Sequence, residues 1–204
     1  MVKKEIPSHI YEIPFWKDSL LVAGIDEVGR GALAGPVVAC ALILPIGSMN
    51  DIGCIDSKML SSKEREKIAE ILKQRALTYS FGIIDHHEID KINIRKATLK
   101  AMCMALKGLS IDPYHALIDG NYFEHSTIPY TTIVKGDYHC YSIAAASILA
   151  KVERDKIMVE IDKHVDSLYY FATNKGYGTL AHRNALQDLG ATPYHRNTFL
   201  SRIL

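Results

Sequence analysis

The chain has 204 residues, 48% of them hydrophobic and 23% charged, with 24 Lys and Arg against 23 Asp and Glu for a formal net charge of +1. That length buries a real core and suits one soluble globular domain with a small appendage; the near-zero charge leaves a nucleic-acid partner open, because a binding groove needs only a local positive stripe. The cysteines, Cys40, Cys54, Cys103 and Cys140, lie 14, 49 and 37 positions apart, so no C-x-x-C pair offers a structural zinc site, and they read as reduced thiols of a cytoplasmic protein.

Residues 1–18 read as an irregular arm anchored by Phe15 and Trp16, without the apolar core of a signal peptide. Residues 20–26 read as a strand and residues 36–44 (PVVACALIL) as a second, buried one. The apolar stretch 32–46 is broken by Pro36 and Pro45 and is too short to cross a bilayer, so no membrane association is expected. A third short strand is expected over 49–55. Ser61, with Glu64 three residues on, forms a capping box that opens a helix to about residue 75. Residues 76–84 (ALTYSFGII) read as a strand, and 88–109 as one helix ended by Gly108 and Pro113. Strands over 115–118 and 130–134 follow, joined by the turn-like DGNYFEHSTIP. A long helix over 142–164 opens with IAAASILA, small enough to pack very close to a sheet. The tail holds the loop TNKGYGT, a helix over 180–189 and the segment ATPYHRNTF. Strands in a meander, followed by alternating helices and strands, indicate a mixed α/β sheet covered by helices.

The chemistry concentrates in GIDEVGRGALAGP, residues 24–36. Asp26 and Glu27 close the first strand; neighbours on a strand point to opposite faces, so both serve one site only where the strand ends or bends. Gly29 and Gly31 supply that bend. Asp119 follows Ala116-Leu117-Ile118, and Asp137 lies between the last strand and the long helix. Each has a plainer reading: an Asx turn for Asp119, a charge at a helix N-terminus for Asp137. Together the four suit hard divalent ions, which take oxygen ligands and keep several waters. Two such ions about 3.5–4 Å apart stabilise the attacking and leaving oxygens of a displacement at phosphorus.

The stretch GIDEVGRGALAGPVV closely resembles the first signature of the ribonuclease HII family, the bacterial type 2 ribonucleases H. DSKMLS (56–61), LIDGN (117–121), KGDYHCYSIAAASILAKVERD (135–155), KGYGTLAH (175–182) and GATPYHRNTF (190–199) match it too, in the family's order and over nearly the whole chain. The resemblance implies an RNase H-like mixed five-stranded sheet flanked by helices, with a small C-terminal helical portion, about 165–204, lining a duplex groove in one domain over 1–204. It implies that Asp26, Glu27, Asp119 and Asp137 are catalytic and hold two Mg²⁺ or Mn²⁺ ions. The reaction implied is hydrolysis 5′ to a ribonucleotide in an RNA–DNA hybrid or in a mostly DNA duplex, leaving a 3′-hydroxyl and a 5′-phosphate.

The resemblance also assigns substrate contacts. Gly29, Arg30 and Gly31 match the element that reads the ribose 2′-hydroxyl, the group that distinguishes RNA from DNA. Tyr177 matches the tyrosine that stacks on the sugar following the ribonucleotide. Lys58, Lys151, Arg154 and Lys175 are candidates for phosphate contacts; Arg154 and Asp155, one helical turn beyond Lys151, are alternatively structural pairs along the long helix. The histidines make no metal-binding spacing of the H-E-x-x-H kind, and His86, His87, His139 and His195 read as surface or core residues. Val28 and Ala32 replace the alanine and proline common in the family, without loss of a functional group. The chain stops soon after ATPYHRNTF, so the tail by which some relatives bind a sliding clamp is not expected; a monomer is. Ribonuclease HIII shares the fold and acids but normally carries an extra N-terminal domain and lacks the arginine at Arg30. A non-catalytic duplex-binding module would not need all four acids, and a generic metal phosphatase would not need the Gly-Arg-Gly loop.

Overall fold

The computed structural model describes residues 7–51, 53–54, 57–124 and 128–201, apart from the side chain of Lys58. Strand β1 (Val22–Val28) pairs antiparallel with β2 (Val37–Ile43), and β2 antiparallel with β3 (Thr78–Ile84). On the other side β1 runs parallel to β4 (His115–Asp119), and β4 parallel to β5 (Tyr130–Ile133), giving the order β3-β2-β1-β4-β5. The expected mixed five-stranded sheet is present.

Period-two alternation puts two cores on this sheet. Val37, Ala39, Ala41 and Ile43 of β2 face one way with Ala23 and Ile25, against α4 (Ile94–Lys107). Cys40 and Leu42 face the other way, against α2 (Ser62–Arg75) and α6 (Tyr141–His164). Strand β2 is buried on both faces, which is why PVVACALIL shows no polar alternation. Helix α6 lies so close to β1 that a Cβ on Gly24 would sit 2.2 Å from the Ser142 carbonyl carbon; the small residues of IAAASILA permit that approach.

Four expectations are corrected. The arm is not wholly irregular: α1 (Ile13–Trp16) forms in it, preceded by Glu12. Glu12 is fully buried and accepts from the Ser142 amide and hydroxyl, both at 2.8 Å, and from the Cys140 thiol at 3.3 Å. The N-cap residue of α6, Cys140, makes no side-chain cap of its own, so a carboxylate from the arm satisfies that end and complements its dipole. Glu12→Ala is expected to cost about 2 kcal/mol, as a buried amide loses its partner, and urea unfolding would register it.

The strand expected over 49–55 is absent among its described residues; residues 52 and 55 lie outside them, as does Asp56. Asn50 instead closes a loop, donating to the Cys54 carbonyl at 2.6 Å and accepting from its amide at 2.9 Å. The helix expected over 88–109 is two, α3 (His86–Ile92) and α4, broken at Asn93. Asn93 has φ +67° and its side chain accepts from the Lys96 amide at 3.1 Å: asparagine is a preferred N-cap, and capping the second helix ends the first. Finally, β1 continues past Asp26 to Val28.

Behind the sheet's Asp26 end, α7 (Phe171–Asn174), α8 (Leu180–Leu189) and α9 (Asn197–Leu200) gather a smaller core: Tyr169, Phe171, Ala185 and Leu186 close over Leu33, Ala34 and Met158. This tail packs directly on the loop between β1 and β2. The four cysteines are free thiols, as expected.

Candidate active site

Because β1 and β4 are parallel, their C-terminal ends meet at one edge, with Ile25 beside Ile118. Asp26 and Asp119 then fall on the α6 face of adjacent strands. Glu27 starts from the opposite face, yet β4 ends at Asp119 and leaves that edge open, so Glu27 reaches the same place without a bend in β1. Asp137, in the first turn of α5 (Gly136–His139), completes the set. All four line one cavity of about 520 Å³, with Val28, Ser57, Ser147, Lys151 and Tyr177.

The electrostatics are those of crowded acids. Burial, then the charges of Glu27 and Asp119, push the Asp26 carboxyl well above the usual range, and a hydrogen bond from Ser147 pulls the other way. Burial also raises Glu27, opposed by Arg30, whose guanidinium donates to Glu27 Oε1 at 3.0 Å. Glu27 Oε2 is buried with no hydrogen-bond partner among the described residues. Asp26 Oδ1 accepts from the Glu27 amide at 2.7 Å, and Asp119 Oδ1 from the Gly136 amide at 2.6 Å. Repelling carboxylates and an orphaned oxygen at the wall of a cavity are what divalent cations relieve, and an all-oxygen donor set fits Mg²⁺ or Mn²⁺. Among the described residues no three such side chains are already drawn around a single point.

The loop after β1 is held by two buried arginines, Arg154, which the sequence offered as a phosphate contact, and Arg196, which sequence reasoning missed. Arg154, on α6, donates to the carbonyls of Pro36 at 2.8 Å, Ala34 at 3.1 Å and Lys175 at 2.8 Å. Arg196, next to α9, donates to those of Gly35 at 3.0 Å, Arg30 at 3.0 Å and Gly29 at 2.8 Å. Both are fully buried, and burial brings the Arg196 guanidinium down to about 9. Arg154 is therefore structural, the alternative the sequence offered, and not a surface phosphate contact. Asp155 pairs along the helix with Lys151 at 2.6 Å, one turn back, and approaches Arg65 at 3.6 Å.

The other candidates divide. Arg30 is exposed and lines a neighbouring cavity of about 390 Å³ with Glu27, Asp119, Arg95 and Tyr122. Tyr177 stands in the acid cavity, its ring 5.3 Å from the Arg154 guanidinium carbon. Lys151 lines the acid cavity as well, whereas Lys175 lines a separate groove beside Arg65 and Asp155, its ammonium bonded to the Ala172 carbonyl. The Lys58 side chain lies outside the described residues. Ser57 and Ser147 were missed; their hydroxyls are 3.1 Å apart at the cavity wall. Ser147 and Lys151 share one face of α6 at the i, i+4 spacing, a signal the sequence did carry.

The family model for ribonuclease HII matches residues 23–202. The chain belongs to the ribonuclease HII family. It is therefore a ribonuclease H, an endonuclease that hydrolyses phosphodiesters. A ribonuclease HII from Parabacteroides distasonis is 47% identical over 188 residues, covering 92% of this chain and 94% of that one. The ribonuclease H2 from Pyrococcus horikoshii OT3 superposes with a TM-score of 0.77 at 24% identity, over 90% of this chain and 97% of that one, and so shares the fold. Bst-RNase HIII in complex with Mn²⁺ superposes with a TM-score of 0.66 at 18% identity, over 84% of this chain but 63% of its own. Ribonuclease HII is thus the family shown, and the HIII likeness is one of fold. Among the described residues no helix is long and apolar enough to cross a membrane.

Proposed function

We propose that this ribonuclease HII cuts the phosphodiester 5′ to ribonucleotides, in RNA–DNA hybrids and at single ribonucleotides embedded in duplex DNA, leaving a 3′-hydroxyl and a 5′-phosphate. The observation that carries the reading is the convergence of Asp26, Glu27, Asp119 and Asp137 on one cavity that Tyr177 also lines. Two Mg²⁺ or Mn²⁺ ions held there would supply Lewis-acid stabilisation of charge at the attacking and leaving oxygens. Asp26, Asp119 and Asp137 would be the direct ligands, and Glu27, through its orphaned oxygen, would hold one ion or its water. The Mn²⁺ of the HIII relative supports the choice of metal.

The chain's own groups orient the substrate. Gly31 is exposed and, among the described residues, nothing lies within 4 Å of where its Cβ would be; a ribose can come against this backbone. Arg30, freed from Glu27, offers a fork to a phosphate. The Tyr177 ring stacks on the next sugar, where a 2′-hydroxyl would crowd it. A non-catalytic duplex module would have no use for the repulsion stored among the acids.

The test is a DNA duplex with one embedded ribonucleotide, incubated with Mg²⁺, with Mn²⁺ or with EDTA. Cleavage 5′ to the ribonucleotide with either metal, and none with EDTA, is expected; no metal-dependent cut at that position refutes the reading. Tyr177→Ala is expected to lose single-ribonucleotide cleavage about tenfold or more beyond its loss on long hybrids, the scale of a misplaced reacting bond. Equal losses on both substrates would remove Tyr177 from this role.

A further inference from the structure

Two buried histidines lie behind the Tyr177 loop. His182, on α8, is 0% exposed and His195 1%. Their Nε2 atoms are 2.9 Å apart, so one must donate and the other accept. The surroundings fix which. The Thr192 amide, an obligatory donor, lies 2.9 Å from His195 Nδ1, which therefore carries no proton; the Thr192 hydroxyl, 2.8 Å from the same nitrogen and itself accepting from the Tyr194 amide, donates to it as well. Neutral His195 then holds its proton on Nε2 and gives it to His182 Nε2. His182 in turn carries its proton on Nδ1, which lies 2.9 Å from the Tyr177 carbonyl and donates to it. One tautomer assignment satisfies every contact, and it runs without a break from Thr192 to Tyr177.

We propose that His182 and His195 are positioning residues for Tyr177, a neutral two-imidazole relay that fixes its backbone against the C-terminal segment and so sets where its ring lies in the acid cavity. The other hydrogen bonds on this residue are local: its amide donates to the Asn174 carbonyl at 3.0 Å, and its carbonyl also accepts from the Thr179 amide at 2.8 Å. Its ring also lies over the Arg154 guanidinium, and the Leu33 amide holds the neighbouring Gly176 carbonyl at 2.8 Å; among the described residues the relay is the hydrogen-bonded link from Tyr177 itself to the C-terminal segment, whose Arg196 clamps the Gly29 and Arg30 carbonyls. One short stretch, residues 192–196, thereby holds both the loop that carries Arg30 and the loop that carries Tyr177 in register. Around the pair stand Tyr169, 5.1 Å from the His195 ring, and Phe171, 5.2 Å from that of His182, with His86 of α3 and the Arg196 cation as the neighbouring charged or titratable groups. Burial, then the charges of His182 and His86, hold His195 down at about 4, and burial holds His182 below its ordinary range against the opposing hydrogen bond to the Tyr177 carbonyl, so both stay neutral near pH 7.

The inference rests on the proposed role of Tyr177, and its test separates the two. In the ¹⁵N NMR spectrum of the intact protein with labelled histidines, His182 is expected as the Nδ1–H tautomer and His195 as the Nε2–H tautomer at pH 7. The opposite tautomers, or a protonated pair, overturn the relay whatever the variants do. His195→Leu is expected to lower the ratio of single-ribonucleotide to long-hybrid cleavage about tenfold through kcat, while His195→Gln, which keeps an N–H donor toward His182, holds the ratio within about threefold of wild type. A ratio unchanged in His195→Leu, where Tyr177→Ala does change it, refutes the relay and leaves the tyrosine's role standing. A ratio unchanged in Tyr177→Ala refutes that role, and the positioning claim with it.

Discussion

Asp26→Asn is expected to abolish metal-dependent cleavage and, in the absence of metal, to make the protein more stable. The loss of activity is expected to reach about 10³-fold or more, since charge stabilisation by bound ions is worth several kcal/mol and each tenfold in rate is about 1.4 kcal/mol. The gain in stability follows from burial and the charges of Glu27 and Asp119, which raise the Asp26 carboxyl above its unfolded value. The folded state then holds a proton that the unfolded state has released, so above the ordinary carboxylate range this residue weakens the fold as pH rises. Asparagine removes that dependence. In EDTA near pH 8, the variant is expected to melt higher than wild type, by about 2–4 °C for each kcal/mol relieved in a chain of this length. With Mg²⁺ added, wild type should gain the more. A variant that melts lower than wild type in EDTA would show that the acids are not mutually strained. Such a trade of stability for function is common at active sites.

The second large effect separates the two glycines around Arg30. Gly29 has φ +94°, and a Cβ there would lie 2.1 Å from Arg154 Nε and 2.8 Å from the Pro36 carbonyl oxygen. Arg154 cannot give way cheaply, because three carbonyls hold it. Gly29→Ala is therefore expected to cost about 1–2 kcal/mol in left-handed backbone and about 1–3 kcal/mol in overpacking, lowering the urea midpoint and activity together. Gly31 has neither constraint. Gly31→Ala is expected to unfold within about 0.5 kcal/mol of wild type, as surface substitutions do, yet to raise KM or lower kcat on ribonucleotide substrates, because the new methyl group occupies space meant for the ribose. Full activity in Gly31→Ala would remove that loop from substrate contact. The adjacent glycines thus serve different ends: one lets the loop fold, the other leaves room beside it.

Much of this fold is legible locally. The capping box forms as read, with the Ser61 hydroxyl accepting from the Glu64 amide and the Glu64 carboxylate from the Ser61 amide at 2.9 Å. The strands were found where β-branched and aromatic residues cluster, and α6 by its length and small residues. Local reading failed where a side chain captured its own backbone. Asn93 split one helix into two by capping the second, and Asn50 closed a loop where a strand was expected. Both are the competition between short polar side chains and regular ladders. Arg154 was misread for a different reason. A basic residue in a helix register looks solvated until the tertiary fold brings three carbonyls to it.

The sequence by itself determined the family, the mixed sheet and most of its strands and helices, because contiguous motifs and hydrophobic periodicity are local properties. It named Asp26, Glu27, Asp119 and Asp137, but gave the wrong reason for their meeting. The bend expected after Asp26 is not needed: β1 runs on to Val28, and the early end of β4 at Asp119 opens the edge through which Glu27 joins the other acids. Tertiary structure alone decided how the loop after β1 and the loop around Tyr177 are held. Their supports, Arg154 and Arg196 on the loop carbonyls and His182 on Tyr177, mostly join residues far apart in the chain. Backbone carbonyls are the acceptors in most of these bonds. Every residue carries one, so no residue type in the sequence could mark which of them the buried arginines and the histidine pair would find.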